Sequence, residues 1–236
     1  AALGANTTGG NNTAVGKDAL LANTTANDNT AVGLQSMKAN TTGTENVAVG
    51  RDSLEANTTG TQNTAIGAHA LAANTTSSYS TAVGREALKS QTTGANNTAV
   101  GRTALAAITT GNYNVAIGVD ANASATTVSN NTAIGYYALQ DNTAANNTAV
   151  GYNALLQNST GSENIAVGGD SLKANTTGSS NTAFGNSALG SNTTADDNTA
   201  VGLSALYANT TGASNVAVGK TALTANTTGA HNTALG

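Results

Sequence analysis

The chain has 236 residues, of which 8% are charged and 3% aromatic, and its 8 basic and 12 acidic residues give a net charge of -4. No basic stripe is present, which argues against nucleic acid as a partner. The absence of Cys excludes disulfides, thiolate metal ligands and cysteine nucleophiles. No apolar run reaches the length of about 18 residues that indicates a membrane span.

A five-residue phrase, Asn-Thr-Ala-Val-Gly, recurs along the chain with small variations, first at residues 12–16 and last at residues 232–236. Its glycines are 17 residues apart, except for one 16-residue step between Gly135 and Gly151. A fixed period of this kind is the mark of a solenoid or another repeat array. We therefore expect one continuous array over residues 1–236, with about 14 coils of 17 residues.

The start of each repeat predicts a short β-strand. Because side chains alternate along a strand, Thr13 and Val15 share one face, whereas Asn12 and Ala14 share the other. The Ala14 position is Ala in all 14 copies. Since only a small side chain permits chains to approach closely, we expect this face to be a contact between chains.

Asparagine fills the Asn12 position in 13 of 14 copies, with Ser80 as the exception. Amide side chains one strand apart can donate to and accept from each other, so this recurrence predicts an amide ladder. Gly16 and its equivalents predict a corner with positive φ or a close backbone approach.

The rest of each repeat predicts turns around a second apolar pair, such as Ala19 and Leu20. The apolar positions lack the 3.6-residue stripe of a helix, and Gly and Asn-Thr-Thr bracket each pair. The sequence therefore predicts an all-β fold, a parallel β-solenoid or β-roll. Its structural ladders are expected at Asn12, Ala14, Val15, Gly16, Leu20, Asn23, Thr25 and their equivalents.

The phrases at residues 46–50 (Asn-Val-Ala-Val-Gly) and 114–118 (Asn-Val-Ala-Ile-Gly) resemble the head repeats of YadA-type trimeric autotransporter adhesins. The full unit, as in residues 181–194, is similar to repeats of bacterial and phage tail-fibre-like proteins. The resemblance covers essentially the whole chain, although its spacing is longer than in adhesin heads because Asn-Thr-Thr-Gly is added. It implies a parallel β-roll, usually a homotrimer, exposed outside the cell and used for adhesion or as a fibre body.

Both ends of the chain fall within a repeat, at Ala2-Leu3 and at Gly236, and neither resembles a cap. Open solenoids normally need caps, because bare end coils present unpaired strand edges. We therefore expect the coils to continue across the chain ends, either covalently in a longer protein or by head-to-tail stacking of copies.

No constellation of residues predicts catalysis. His69 and His231 lie in distant repeats, Asp196 and Asp197 lie in a predicted turn, and the calcium-binding Gly-Gly-x-Gly-x-Asp repeat is missing. We expect no enzymatic activity, no metal and no cofactor.

Regular ladders leave binding of ice or of glycans as the alternative function. If the Asn-Thr-Thr segment is extended, Thr24 and Thr25 point to opposite sides and Thr25 shares a side with Asn23, which disfavours a flat Thr array. We interpret the Asn-x-Thr sequons of this segment as turns rather than as glycosylation sites. Tyr136 and Tyr152 take the same place in adjacent repeats and could stack as a platform for a sugar or another filament.

The sequence thus predicts a non-enzymatic structural protein, extracellular or on the cell surface, that forms the body of a filament or adhesive fibre. Its expected partners are further copies of itself, with glycans or a neighbouring cell surface as additional ones.

Overall fold

A computed structural model describes all residues from Ala1 to Gly236, and its only regular elements are fourteen three-residue strands. They are β1 (Thr13–Val15), β2 (Thr30–Val32), β3 (Val47–Val49), β4 (Thr64–Ile66), β5 (Thr81–Val83), β6 (Thr98–Val100), β7 (Val115–Ile117), β8 (Thr132–Ile134), β9 (Thr148–Val150), β10 (Ile165–Val167), β11 (Thr182–Phe184), β12 (Thr199–Val201), β13 (Val216–Val218) and β14 (Thr233–Leu235). Each strand covers the three residues before the recurring glycine. The predicted all-β fold is confirmed.

The strands divide between two compact units. The first unit, Ala1–Asn114, contains β1 to β6, and the second, Val115–Gly236, contains β7 to β14. Within each unit consecutive strands pair in parallel, and equivalent residues of successive repeats face each other, as Ala14 faces Ala31. The chain therefore folds as a parallel β-solenoid in which one repeat makes one coil.

The single 16-residue step leaves the strand register intact. Thr132 of β8 still pairs with Thr148 of β9, so the missing residue is absorbed outside the strands. In this coil the Asn142 amide donates to the Ala144 carbonyl two residues on, at 2.7 Å. In the next coil Asn158 donates instead to Gly161, three residues on, also at 2.7 Å. The deletion thus shortens a turn and not a strand.

Each coil closes around a thin core of small and medium apolar side chains. In the fifth coil the core consists of Ala82 from the strand together with Ala87 and Leu88, all 0% exposed. A fully buried Leu contributes about 1.5–3 kcal/mol. Leu88 nevertheless adopts a φ of 51°, a conformation that costs a non-glycine residue about 1–2 kcal/mol. Burial of the side chain therefore offsets the strain of the corner.

The position of the recurring glycine has both features that the sequence predicts, a positive φ and a close backbone approach. Gly16 has a φ of 130°. A Cβ built on it would lie 2.5 Å from the carbonyl oxygen of Gly33 in the next coil. Only glycine allows the backbone to make this corner and the neighbouring coil to stack so closely.

The expected contact between chains through the Ala14 face is wrong. The equivalents of Ala14 in β2 to β13 are fully buried inside the single chain, as Ala31 and Ala48 show at 0% exposure, and only the two end copies are half-buried. Alternation separates the two faces of a strand but does not reveal which face lies inside. Here the buried Leu and amide side chains leave room for only an Ala methyl on the strand.

Candidate functional site

The outward side chains of the strands form a regular surface in each unit, which we call the strand face. It comprises the first and third residue of every strand, usually Thr and Val, on the side opposite to the buried Ala. Nine of its fourteen third-position side chains are exposed, among them Val15 at 58%, Ile66 at 41% and Phe184 at 57%, and the other five are half-buried. Large apolar side chains on this face therefore contact solvent in the single chain.

No charged residue lies on the strand face. All 8 basic and 12 acidic residues occupy other positions of the repeat. They follow the recurring glycine, as Arg51 and Asp52 do, or lie near the buried Leu, as Lys89 does, or in the turn before the next strand, as Glu45 does. The face therefore combines apolar groups with threonine hydroxyls alone.

The strand face is long and narrow in both units. The eight strands of the second unit, spaced about 4.8 Å apart with about 3.3 Å per residue, give a face of roughly 38 Å by 10 Å. An exposed apolar patch of several hundred Å² usually marks a contact with another molecule. The six strands of the first unit give a face of about 29 Å by 10 Å.

Two rows of amides lie inside the coils rather than on the surface. The strand amide row contains Asn12 and its equivalents, and there Asn46 donates to the Oδ1 of Asn29 from its backbone N at 3.0 Å and from Nδ2 at 3.2 Å. The turn amide row contains Asn23 and its equivalents, and there Nδ2 of Asn40 donates to Oδ1 of Asn23 at 3.2 Å. All four side chains are 0% exposed. Both rows thus act as internal hydrogen-bond ladders.

Thr25 does not share a side with Asn23. Asn23 is buried whereas Thr25 is exposed. The expectation is wrong because Thr24 and Thr25 form a bend instead of an extended segment. The buried amide of Asn23 also donates to the Ala26 carbonyl at 3.2 Å, so this sequon is inaccessible to glycosylation in the folded chain.

The structure brings Tyr136 and Tyr152 together on the surface of the second unit. Their rings stack with centroids 5.7 Å apart and planes 6° apart. Tyr137 adds a third ring, 3.9 Å from that of Tyr136. Its hydrogen bond with Tyr136 raises the pKa of that phenol above its ordinary value.

The charged residues form small surface pairs. In one pair Arg85 donates to Glu86 at 2.7 Å, and this hydrogen bond lowers the pKa of the Glu86 carboxyl. Nowhere do three His, Asp or Glu side chains converge as a metal site would require. The structure also contains no helix with the length and apolarity needed to cross a membrane.

The chain matches no protein-family profile, and neither a curated protein nor a solved structure is significantly similar to it. Its function must therefore be argued from its own surfaces.

Sequence reasoning missed the strand face, although the sequence contains a signal for it. Charged residues are absent from the Thr13 and Val15 positions in every copy, whereas they occur at the Lys17 and Asp18 positions in several copies. Positions that are free of charge in every copy and exposed in most of them make the strand face the candidate site.

Proposed function

We propose that the protein is a non-enzymatic structural module that associates with further copies of itself through the strand face and forms the body of an extracellular filament or adhesive fibre. The observation that carries this proposal is the strand face, which is free of charge in every coil and exposes its apolar third residue in nine of the fourteen. Covering its apolar side chains would remove them from water at about 25 cal/mol per Å² of apolar surface.

A second copy is the partner that best fits this face. Its groups recur once per coil, at the spacing of neighbouring strands, about 4.8 Å. Another copy offers the same spacing, so each coil can meet an equivalent coil. Two sheets pack face to face at about 10 Å with their side chains interdigitated. The apolar third-position row supplies the side chains for such packing.

Ice is the second candidate for the strand face, because Thr and Val alternate there at regular spacing. The first-position row is not uniform, however. Thr gives way to Val47, Val115, Ile165 and Val216. These substitutions interrupt a hydroxyl lattice but preserve an apolar, β-branched surface. The pattern therefore favours packing against protein over recognition of ice.

Replacing Ile66 with Lys tests the proposal against a matched control. Ile66 is 41% exposed on the strand face, and Leu34 is 42% exposed after the recurring glycine, a position where Lys17 and Lys220 occur. Sedimentation velocity and electron microscopy should show at least about tenfold weaker association for Ile66→Lys, because burying an unpaired charge costs several kcal/mol. Leu34→Lys should associate like the wild type.

A wild-type protein that stays monomeric at high concentration would contradict self-association. Equal weakening by both variants would instead indicate a general effect of charge. If the monomer inhibits ice growth and Ile66→Lys does not, the strand face binds ice instead of a second copy. Antibody labelling of intact cells tests the extracellular location.

A further inference from the structure

The row of side chains that follows the recurring glycine has a gap beside the tyrosine stack. In consecutive coils of the second unit this row contains Tyr136, Tyr152, Gly169 and Asn186. Gly169 is the only glycine in the row. A Cβ built there would meet only the Nδ2 of Asn186, at 3.0 Å, and the carbonyl oxygen of Tyr152, at 3.9 Å. The space above Gly169 is thus closed only by an amide from the next coil.

The gap leaves one ring of the stack accessible. Tyr136 covers one side of the Tyr152 ring in parallel orientation. On the other side the neighbouring coil presents Gly169, which has no side chain. Tyr152 is accordingly 55% exposed, compared with 42% for Tyr136. One coil layer, about 4.8 Å thick, is enough for a further ring to stack on Tyr152, since stacked rings have centroids about 4.5–7 Å apart.

Polar groups lie beside this gap. Asn153 donates to Oδ1 of Asp170 at 3.1 Å, and Lys173 lies 3.1 Å from the same oxygen. Desolvation opposes ionisation of Asp170, but hydrogen bonds from Asn153 and Lys173 outweigh it and lower the pKa of the carboxyl. The exposed Asn186 amide leans over Gly169 with its Nδ2.

We propose that Tyr152, Gly169 and Asn186 form a binding site for one pyranose ring of a glycan. A pyranose has an apolar C–H face, which the negative face of an aromatic ring attracts. Its edge presents hydroxyls, which amides and carboxylates bind as donors and acceptors. An aromatic surface with a few placed polar groups is the usual composition of a small-ligand site.

The polar surroundings favour a sugar over other flat ligands. A nucleotide would bring its phosphates near Asp170 in a chain with net charge -4 and no basic stripe. An aromatic side chain from another protein would stack on Tyr152 but would offer no hydrogen bond to the exposed amide of Asn186. A sugar ring uses both the aromatic face and the polar groups.

The test uses methyl glycosides of galactose, glucose, mannose and N-acetylglucosamine as probes, followed by saturation-transfer NMR and titration of tyrosine fluorescence. At least one probe should bind the full chain. Tyr152→Ala should weaken that binding at least tenfold because the stacking surface is lost. Gly169→Leu should have the same effect because it fills the gap, and Leu occupies this row at Leu34 and Leu203 without disturbing the coil.

Tyr79→Ala is the matched control. Tyr79 lies in the first unit, is 60% exposed, and its ring stacks on no other aromatic ring. It should leave sugar affinity unchanged. Far-UV circular dichroism of Gly169→Leu shows whether the coil still folds. The proposal is overturned if the wild type binds none of the probes, if Gly169→Leu binds as well as the wild type, or if an aromatic peptide binds in place of the sugars. Sugar binding should persist in Ile66→Lys, which separates this site from self-association.

Discussion

Gln91 donates from its Nε2 to Oγ of Ser80 at 3.0 Å inside the fifth coil. These two residues replace the Asn of the turn amide row and the Asn of the strand amide row in the same coil. The longer Gln side chain reaches the space that the shorter Ser leaves. Its Oε1 accepts from Nδ2 of Asn97, at 2.9 Å, and so links the pair to the next coil. The two departures from the repeat therefore compensate each other.

This compensation predicts strong coupling between positions 80 and 91. Ser80→Asn alone should destabilise the protein by about 1–3 kcal/mol, because the larger side chain overfills a buried space. Gln91→Asn alone should cost a similar amount, because it removes the buried hydrogen bonds from Nε2 to the hydroxyls of Ser80 and Ser77. Ser80→Asn/Gln91→Asn restores the regular pair of amides and should recover most of the loss. Thermal unfolding of the four proteins measures the coupling.

The control for this cycle is a pair of substitutions at the same two positions of a regular coil, Asn181→Ser and Asn192→Gln. Each should destabilise alone, and together they should partly rescue each other. If the losses at positions 80 and 91 simply add, the hydrogen bond between the two side chains carries no coupling energy.

The period, the parallel register and the role of the glycine could be predicted from the sequence, because each follows from a pattern repeated in every coil. Which face of each strand points into the core could not be predicted. Ala14 and Val15 are both apolar, and only the volume left by Leu20 and the amides decides that Ala points inward. The bend at Thr25 also escaped prediction, since extended and bent backbones share the same polar composition.

The gap beside Tyr152 was not predictable for a different reason. Gly169 is the only glycine in its row, but glycine is frequent elsewhere in the sequence, so its presence does not by itself indicate a site. It acquires meaning only when stacking places it next to an exposed ring. Sequence periodicity identifies what the coils have in common, whereas a candidate binding site arises where one coil departs from its neighbours.

Replacing the buried Asn122 with Leu should stabilise the protein. It occupies the position of the buried Leu, is 0% exposed, and has neither Nδ2 nor Oδ1 hydrogen bonded. Each buried polar atom without a partner costs about 1–3 kcal/mol. Asn tolerates the φ of 48° at this position better than Leu does, so backbone strain in Asn122→Leu offsets part of the gain. Asn122→Leu should therefore raise the free energy of unfolding by about 1–3 kcal/mol.

The reverse substitution at a neighbouring coil is the control for Asn122. Leu139 is also 0% exposed and has a φ of 54°, so Leu139→Asn should destabilise by at least about 2 kcal/mol. Denaturant unfolding measures the change in the free energy of unfolding, which should be positive for Asn122→Leu and negative for Leu139→Asn. A destabilised Asn122→Leu would show that this position needs a polar side chain for a reason other than packing.

The stacking distance at the glycine corner predicts that a single methyl group there disrupts two coils. Gly33 has a φ of 139°, and a Cβ on it would lie 2.4 Å from the carbonyl oxygen of Gly50. Because this oxygen belongs to the backbone, the overlap can be relieved only by moving the backbone of the next coil. Gly33→Ala should destabilise by about 3 kcal/mol or more, since strain at the corner adds to the overlap. Gly10→Ala, whose nearest atom would be 3.7 Å away, should change stability by less than about 0.5 kcal/mol.

Hydrogen exchange locates the effect of Gly33→Ala, because a repeat protein can open locally while its other coils stay folded. Exchange should accelerate in β2 and β3, which pair residue for residue at the coil that contains Gly33. The backbone N–H of Gly50, which donates to the carbonyl of Val32 at 2.8 Å, should be among the first to lose protection. β6, three strands further along the same unit, should keep its protection. If instead Gly33→Ala and Gly10→Ala unfold at the same temperature, neither the positive φ of Gly33 nor its close approach to Gly50 requires glycine.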